Sequence, residues 1–347
     1  DRVFDLLENA SRPPRVDNWP PYDIARTGED AYRITMAVAG FGQEELSIVH
    51  EPNMLVVSGE RTAEDNGDYL HRGIAPDAVR QALAYYTTFS TRDGKSMGHM
   101  KAADIGDVAV IATNMPETFR RLADVMGWIF RHGIVPVTIG GDHSIAWPIL
   151  EAATRTYGAG GVGVIHFDAH HDLREAHFGA ESSGVPFRKA LNFKDDPISG
   201  KNLVQIGIAD FCNAPAHYKY AKDEGIRVYS NIEVQERGID DIAAEAIARA
   251  AKGVDALYVS VDIDSLDHSQ APGTAAPNSA GLDARDVQRA LRKIAGHPKT
   301  IGLDIVEISP PLDVNDMTAN TGAMLALNFL YGIGRRKTKA NRPRKPR

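Results

Sequence analysis

Cysteine is almost absent from this 347-residue chain, where Cys212 is the only one. A single thiol excludes an internal disulfide and any zinc site built from thiolates, and it fits a reducing compartment. Long apolar runs are missing too. No stretch approaches the roughly 20 consecutive apolar residues that a membrane-spanning helix needs, and no secretory leader pattern is visible. The expectation is a soluble, cytoplasmic protein with no membrane partner. Nor is there an excess of positive charge, with 39 Lys and Arg against 46 Asp and Glu and a net charge of −7. A nucleic-acid partner is therefore not expected. The exception is residues 335–347, a basic, proline-bearing run without aromatic residues, which reads as a disordered tail with no catalytic part. No internal repeat is apparent.

What is present is a set of metal-binding side chains at strand spacing. In Val164-Ile-His-Phe-Asp-Ala-His-His-Asp-Leu-Arg174, an apolar run from Gly161 to Phe167 leads into Asp168, His170 and Asp172. Side chains two apart in a strand share a face, so the three groups converge just past the strand's carboxyl end. Packing them there without a counter-ion is unfavourable. About ninety residues later Ala256-Leu-Tyr-Val-Ser-Val-Asp-Ile-Asp264 repeats the pattern with Asp262 and Asp264. A third run, Val135-Pro-Val-Thr-Ile-Gly-Gly-Asp-His-Ser144, ends in a glycine turn that delivers His143 to the same edge of a parallel sheet. Any one of these segments alone reads as a helix cap or a tight turn. Together they supply four carboxylates and two imidazoles, an oxygen-rich set that suits a hard or borderline ion such as Mn²⁺ and exceeds what one ion needs. The reading is a two-metal site with bridging carboxylates. His166 and His171 are assigned to packing or rim positions.

The blocks Gly140-Gly-Asp-His-Ser144, Phe167-Asp-Ala-His-His-Asp172 and Ser260-Val-Asp-Ile-Asp-Ser-Leu-Asp267, followed by Ala271-Pro-Gly273, resemble the signature blocks of the ureohydrolase superfamily, which includes arginase, agmatinase and formimidoylglutamase. The resemblance runs from about residue 75 to 334. It implies a three-layer α/β/α fold with a mostly parallel sheet, and a centre of two Mn²⁺ per chain held by His143, Asp168, His170, Asp172, Asp262 and Asp264. It also implies a homo-oligomer, trimer or hexamer, acting on a small amidine or guanidino substrate. Glu307 ends the apolar run from Thr300 and lies in a Val-Glu-Ile-Ser-Pro motif, which by resemblance assigns it to the substrate's amidinium group. Asp172, besides ligating metal, is placed to pass a proton to the leaving nitrogen.

Within the superfamily, Ser182-Ser-Gly-Val-Pro-Phe-Arg188 carries Ser183 where arginases and agmatinases usually place a shuttle histidine. Serine does not titrate near neutrality, and formimidoylglutamases are similar to this chain at that position. Arg174 and Arg188 flank the metal-binding segment, and guanidinium groups suit carboxylates. Formimidoylglutamate carries two carboxylates, whereas the amine of agmatine would be repelled. With Ser183 counted among the substrate-binding residues, the expected reaction is hydrolysis of N-formimidoyl-L-glutamate to L-glutamate and formamide. The alternative in the same class is an agmatinase or guanidino-acid hydrolase that releases urea.

Residues before about 75 read differently. Tyr32 to Val38, Leu46 to Ile48 and Met54 to Val57 alternate apolar and polar residues between Gly, Asn and Asp punctuation, which is antiparallel β patterning. Ala31-Tyr-Arg-Ile-Thr-Met-Ala-Val-Ala-Gly-Phe41 and Tyr69-Leu-His-Arg-Gly-Ile-Ala75 resemble the start of a small heat-shock protein's α-crystallin domain, cut off halfway. The expected organisation is a partial β segment over 1–74, a hydrolase domain over 75–334 and a tail over 335–347. A further alternative is a chaperone-like or scaffold protein with an inactive hydrolase domain. The strand that ureohydrolases place before the helix beginning near Pro76 is not found. Beyond it, Phe119, Leu122, Met126 and Ile129 recur at helical spacing, the mark of βαβ units.

Overall fold

The apolar runs that carry the motifs become neighbouring parallel strands, as uninterrupted apolar composition requires of strands covered on both faces. The computed structural model describes residues 22–26, 32–36, 46–51, 54–59, 72–111, 114–176 and 182–336. Contacts divide the chain into two units, Asp1–Asn66 and Gly67–Arg347.

In the first unit, β1 (Tyr22–Arg26) pairs antiparallel with β2 (Tyr32–Met36), and β3 (Leu46–Glu51) with β4 (Met54–Gly59). The antiparallel reading of these segments holds, with β1 an element that the alternation pattern had not marked.

The second unit begins with α1 (Ala75–Leu83), the small hairpin β5 (Phe89–Ser90) and β6 (Lys95–Ser96), and α2 (Met115–Arg131). In α2 the side chain of Asn114 accepts from the Glu117 amide, and a proline sits in the first turn where its missing N–H is harmless. Then come β7 (Val137–Ile139), α3 (Ala146–Tyr157), β8 (Val162–Phe167), α4 (Pro186–Leu191), β9 (Leu203–Ile208), α5 (Pro215–Asp223) and β10 (Arg227–Ser230). The unit closes with α6 (Asn231–Arg237), α7 (Ile239–Ala250), β11 (Ala256–Asp262), α8 (Ala284–Ala295), β12 (Thr300–Val306) and α9 (Met317–Gly334).

Strands β7 to β12 form one parallel sheet in the order β10-β9-β8-β11-β12-β7. Alternation divides their side chains between two cores. Ile165, Phe167, Val259, Val261, Leu303 and Ile305 pack with Val79 of α1 and with α6 to α9, while Val162, Val164, Tyr258 and Ile301 pack with residues of α2 to α5, including Phe130 and Ile149. These are the three layers of an α/β/α fold. The helical stripe is core, with Phe119, Leu122, Met126 and Ile129 all buried.

Among the described residues the strands of this sheet run in sequence from Val137 to Val306, and β7 is one of its edges. Chain connections leave β8 toward β9 and β11 toward β12, so the crevice between β8 and β11 is the switch point where such sheets bind ligands. Of the tail, only Arg335 and Arg336 are described. Arg336 is held rather than loose: its Nε donates to the Ala295 carbonyl at 2.8 Å and its guanidinium to the Thr300 carbonyl at 2.6 Å. Among the described residues no helix is long and apolar enough to cross a membrane.

Candidate metal centre

Every predicted metal ligand lies at the carboxyl-end edge of the parallel sheet, five at the ends of the central strands and His143 after the edge strand β7. Asp168 to Asp172 follow β8, Asp262 ends β11 and Asp264 sits in the short turn Ile263–Ser265. His143 opens the turn His143–Ile145 after β7. Gly140, ahead of that turn, makes room for its neighbours: a Cβ there would lie 2.4 Å from Ile145 Cδ1 and 2.9 Å from Val306 Cγ1, so those side chains would have to move.

His143 Nδ1 faces three carboxylates, with Asp172 Oδ2 at 3.0 Å, Asp262 Oδ2 at 3.1 Å and Asp168 Oδ2 at 3.2 Å. Its other nitrogen, Nε2, lies 2.8 Å from Ser260 Oγ, whose hydroxyl donates to Asp304 Oδ1 at 2.6 Å. A serine that gives its proton to Asp304 accepts from His143 Nε2–H, which leaves the Nδ1 lone pair pointing at the three carboxylates. That arrangement is repulsive unless a cation sits among them. A second group has His170 Nδ1 at 3.1 Å from Asp264 Oδ2 and 3.3 Å from Asp168 Oδ1. Asp168 thus turns one oxygen to each histidine, and two groups that share it could hold an ion, His143, His166, Asp168 and Asp172 in one and Asp168, His170 and Asp264 in the other, with Asp262 beside His143.

Electrostatics express the same demand for positive charge. Burial pushes Asp262 well above the usual carboxylate range, with Asp264 and Asp168 adding to it, and raises Asp172 to about 6, with Asp168 contributing. Burial opposes charge on His170, yet its hydrogen bonds to Asp168 and Asp264 hold the ring at about 12. His143 behaves likewise, held well above its ordinary value against burial by Asp168, Asp172 and Asp262. Without a metal, protons on these rings occupy its place.

Backbone strain marks two of these residues. Asp172 has φ 51° and Glu307 φ 66°, left-handed conformations that cost roughly 1–3 kcal/mol each and gather at functional sites. Glu307 is buried. Its Oε1 accepts from the His143 backbone N–H at 2.7 Å, and its own N–H donates to Gly141.

His170 and Asp172 open onto a cavity of about 440 Å³, lined also by Arg174, Phe211, Cys212, Asn213, Ala214 and His217. The Arg174 backbone N–H donates to the Gly184 carbonyl at 2.9 Å, and its side-chain stem lies where a Gly184 Cβ would be, 2.6 Å from Cδ. Among the described residues its guanidinium has no carboxylate partner. Arg188 is placed differently: it pairs with Glu175 at 2.6 Å and stacks on Tyr220 at 4.1 Å, and it does not line the cavity. Ser183, half-buried in the turn before α4, does not line it either.

Two features escaped the sequence reading. His166 was assigned to packing, yet alternation puts it on the Asp168 side, and its Nε2 lies 2.7 Å from Asp168 Oδ2. Burial holds its ring down at about 4, so it is neutral. The loop after β9, from Phe211 to His217, was overlooked as a cavity wall; the signal was available, since β9 also ends at the sheet's carboxyl edge.

This architecture has counterparts of known sequence. The arginase family model matches residues 70–332. The chain belongs to the arginase family. The Hsp20/alpha crystallin family model matches residues 24–81. The arginase-family portion is 36% identical over 260 residues to a formimidoylglutamase of Halalkalibacterium halodurans, covering 74% of this chain and 80% of that one. It is 38% identical over 257 residues to the mitochondrial agmatinase of Gallus gallus, with 74% of each chain covered. The crystal structure of formimidoylglutamase from Bacillus subtilis superposes with a TM-score of 0.73 at 32% identity, covering 76% of this chain and 82% of that one. In this arginase-family chain the buried cluster of histidines and aspartates supports a binuclear metal site.

Proposed function

We propose that the chain is a manganese-dependent hydrolase that cleaves the amidine C–N bond of N-formimidoyl-L-glutamate, giving L-glutamate and formamide. The observation that carries the substrate is Arg174, which opens onto the same cavity as His170 and Asp172 without an acidic partner among the described residues. Among the described residues the only carboxylate on that wall is Asp172, assigned to the metal, so none of them there offers a counter-ion to the distal amine of agmatine. A substrate with carboxylates does.

The donor set of two imidazoles and four carboxylates favours Mn²⁺ among divalent ions. Two ions held by these residues would lower the pKa of water and supply hydroxide to the reacting carbon. The residues do the remainder. Glu307 is assigned to the substrate's amidinium by charge complementarity, and Arg174 to a glutamate carboxylate, held in place over Gly184. As the oxygen of water joins the amidine carbon, Asp172 Oδ takes a proton from that water; the bond from the carbon to the glutamate nitrogen breaks, and the nitrogen leaves with the proton that Asp172 returns. Arg188 and Ser183, outside the cavity wall, shape the segment that carries Gly184. Assembly as a homo-oligomer, trimer or hexamer, is part of the same proposal.

The test is a product assay on the full chain loaded with Mn²⁺ and offered formimidoylglutamate, agmatine and guanidinobutyrate. Release of formamide and glutamate from the first alone supports the reading. Urea from either of the others, with formimidoylglutamate untouched, overturns it.

A further inference from the structure

Gln205 is a fully buried amide in the middle of β9, and its side chain touches two histidines of the metal-binding segment. Its Nε2 lies 2.7 Å from the carbonyl oxygen of His171 and 3.1 Å from His166 Nδ1, while its Oε1 lies 2.7 Å from His171 Nδ1. The orientation of this amide is forced. A backbone carbonyl only accepts, so the group facing it must be the NH₂, and the remaining assignments follow. Oε1 accepts from His171 Nδ1–H. The second N–H of the amide donates to His166 Nδ1, so the His166 proton resides on Nε2 and is donated to Asp168 Oδ2 at 2.7 Å. One carbonyl thus determines the tautomer of a ring and the orientation of a bridging carboxylate.

We propose that Gln205 is a positioning residue of the metal centre. Acting through His166, it holds Asp168 with Oδ2 toward His143 and Oδ1 toward His170. At the same time it clamps the backbone at His171, between the ligands His170 and Asp172. A second tie works on the same segment: Asn213 accepts from the His171 N–H at 2.9 Å and donates to the Ala169 carbonyl at 2.9 Å. All of Gln205, His166, His171 and Asp168 are buried, where hydrogen bonds are directional and water does not compete. Groups of this kind govern metal affinity without touching the metal.

The inference rests on the two-metal reading of the site, and its test separates the two. Mn²⁺ binding to the full chain is measured by chelator competition, together with the electron paramagnetic resonance signature of an exchange-coupled Mn²⁺ pair. If the unsubstituted chain binds no Mn²⁺, the two-metal reading itself fails. Gln205→Met keeps the volume and removes every hydrogen bond, and Gln205→Glu places a carboxylate against the His171 carbonyl and forces a proton onto His166 Nδ1. Each is expected to weaken Mn²⁺ binding by about 10–100-fold and to alter the coupled-pair signal. Unchanged affinity and signal in both variants overturn the inference. A measurement on the unsubstituted holoprotein decides the matter even if the variants do not fold. Neutron diffraction is expected to find deuterium on Nε2 of His166 and on Nδ1 of His171; deuterium on Nδ1 of His166 refutes the relay.

Discussion

The two halves of the metal centre share Asp168 and differ in almost everything else. The half around His143 is sealed: the ring is fully buried, three carboxylate oxygens surround its Nδ1, and Ser260 and Asp304 fix its tautomer from behind. The half around His170 is open. That side chain is 21% exposed, fewer carboxylates face it, and it looks onto the cavity with Arg174 and His217. The difference separates a histidine closed off from solvent from one that faces the cavity, which Asp172 of the first group reaches as well. A closed, carboxylate-rich pocket retains an ion; an open one leaves coordination positions for water and for the group being cleaved.

The most severe way to break that asymmetry is to remove a ligand from the sealed half. His143→Asn or Asp262→Asn is expected to leave fewer than two Mn²⁺ per chain and to lower turnover by at least about a hundredfold. Elemental analysis beside steady-state rates checks it, and full metal content in both variants would contradict the ligand assignment.

Acidification tests the carboxylate that bridges the two functions. Asp172 titrates near 6 in the metal-free site because burial, and then Asp168, favour its protonated form. A protonated carboxyl does not coordinate, so Mn²⁺ binding releases the proton and affinity is expected to fall as pH drops through about 6. The stability linkage has the opposite sign. Folded Asp172 holds its proton more tightly than the unfolded chain does between 3.8 and about 6, so its contribution to apo-protein stability declines as pH rises through that window. Chelator competition and metal-free thermal melts from pH 5 to 8 read both.

On the open side, Arg174→Met is expected to raise KM for formimidoylglutamate by about tenfold with kcat little changed, as loss of a binding contact requires. Discrimination against an uncharged formamidine should shrink by the same factor; if it does not, Arg174 has no part in recognition. Arg188→Ala should do least. With its guanidinium paired to an exposed Glu175 and stacked on Tyr220, its loss is expected to change stability by under about 1 kcal/mol and KM by less than about twofold.

Much of this centre was legible from residue order. An apolar run followed by Asp-x-His-x-Asp or Asp-x-Asp announces a strand end and a shared face, and parallel strands gather their carboxyl ends on one edge. His143, Asp168, His170, Asp172, Asp262 and Asp264 are candidates on that pattern and the structure brings them together, and the stripe of α2 is buried as its spacing predicts. His166 was misjudged because its parity with Asp168 was read the wrong way, an error in applying the rule. Arg188 was a different kind of miss: whether an arginine is free or spoken for depends on Glu175 and Tyr220, and Tyr220 comes from a different helix.

The order of residues therefore determined the layered fold and the gathering of histidines and aspartates at strand ends, because strand periodicity and side-chain chemistry are local properties. Only tertiary structure decided how the candidate ligands divide between a closed and an open histidine, which arginine reaches the cavity, and that Gln205 on β9 touches His166 within β8 and His171 after it. These are contacts between segments tens of residues apart, brought together by strand order and packing. No local pattern carries that information.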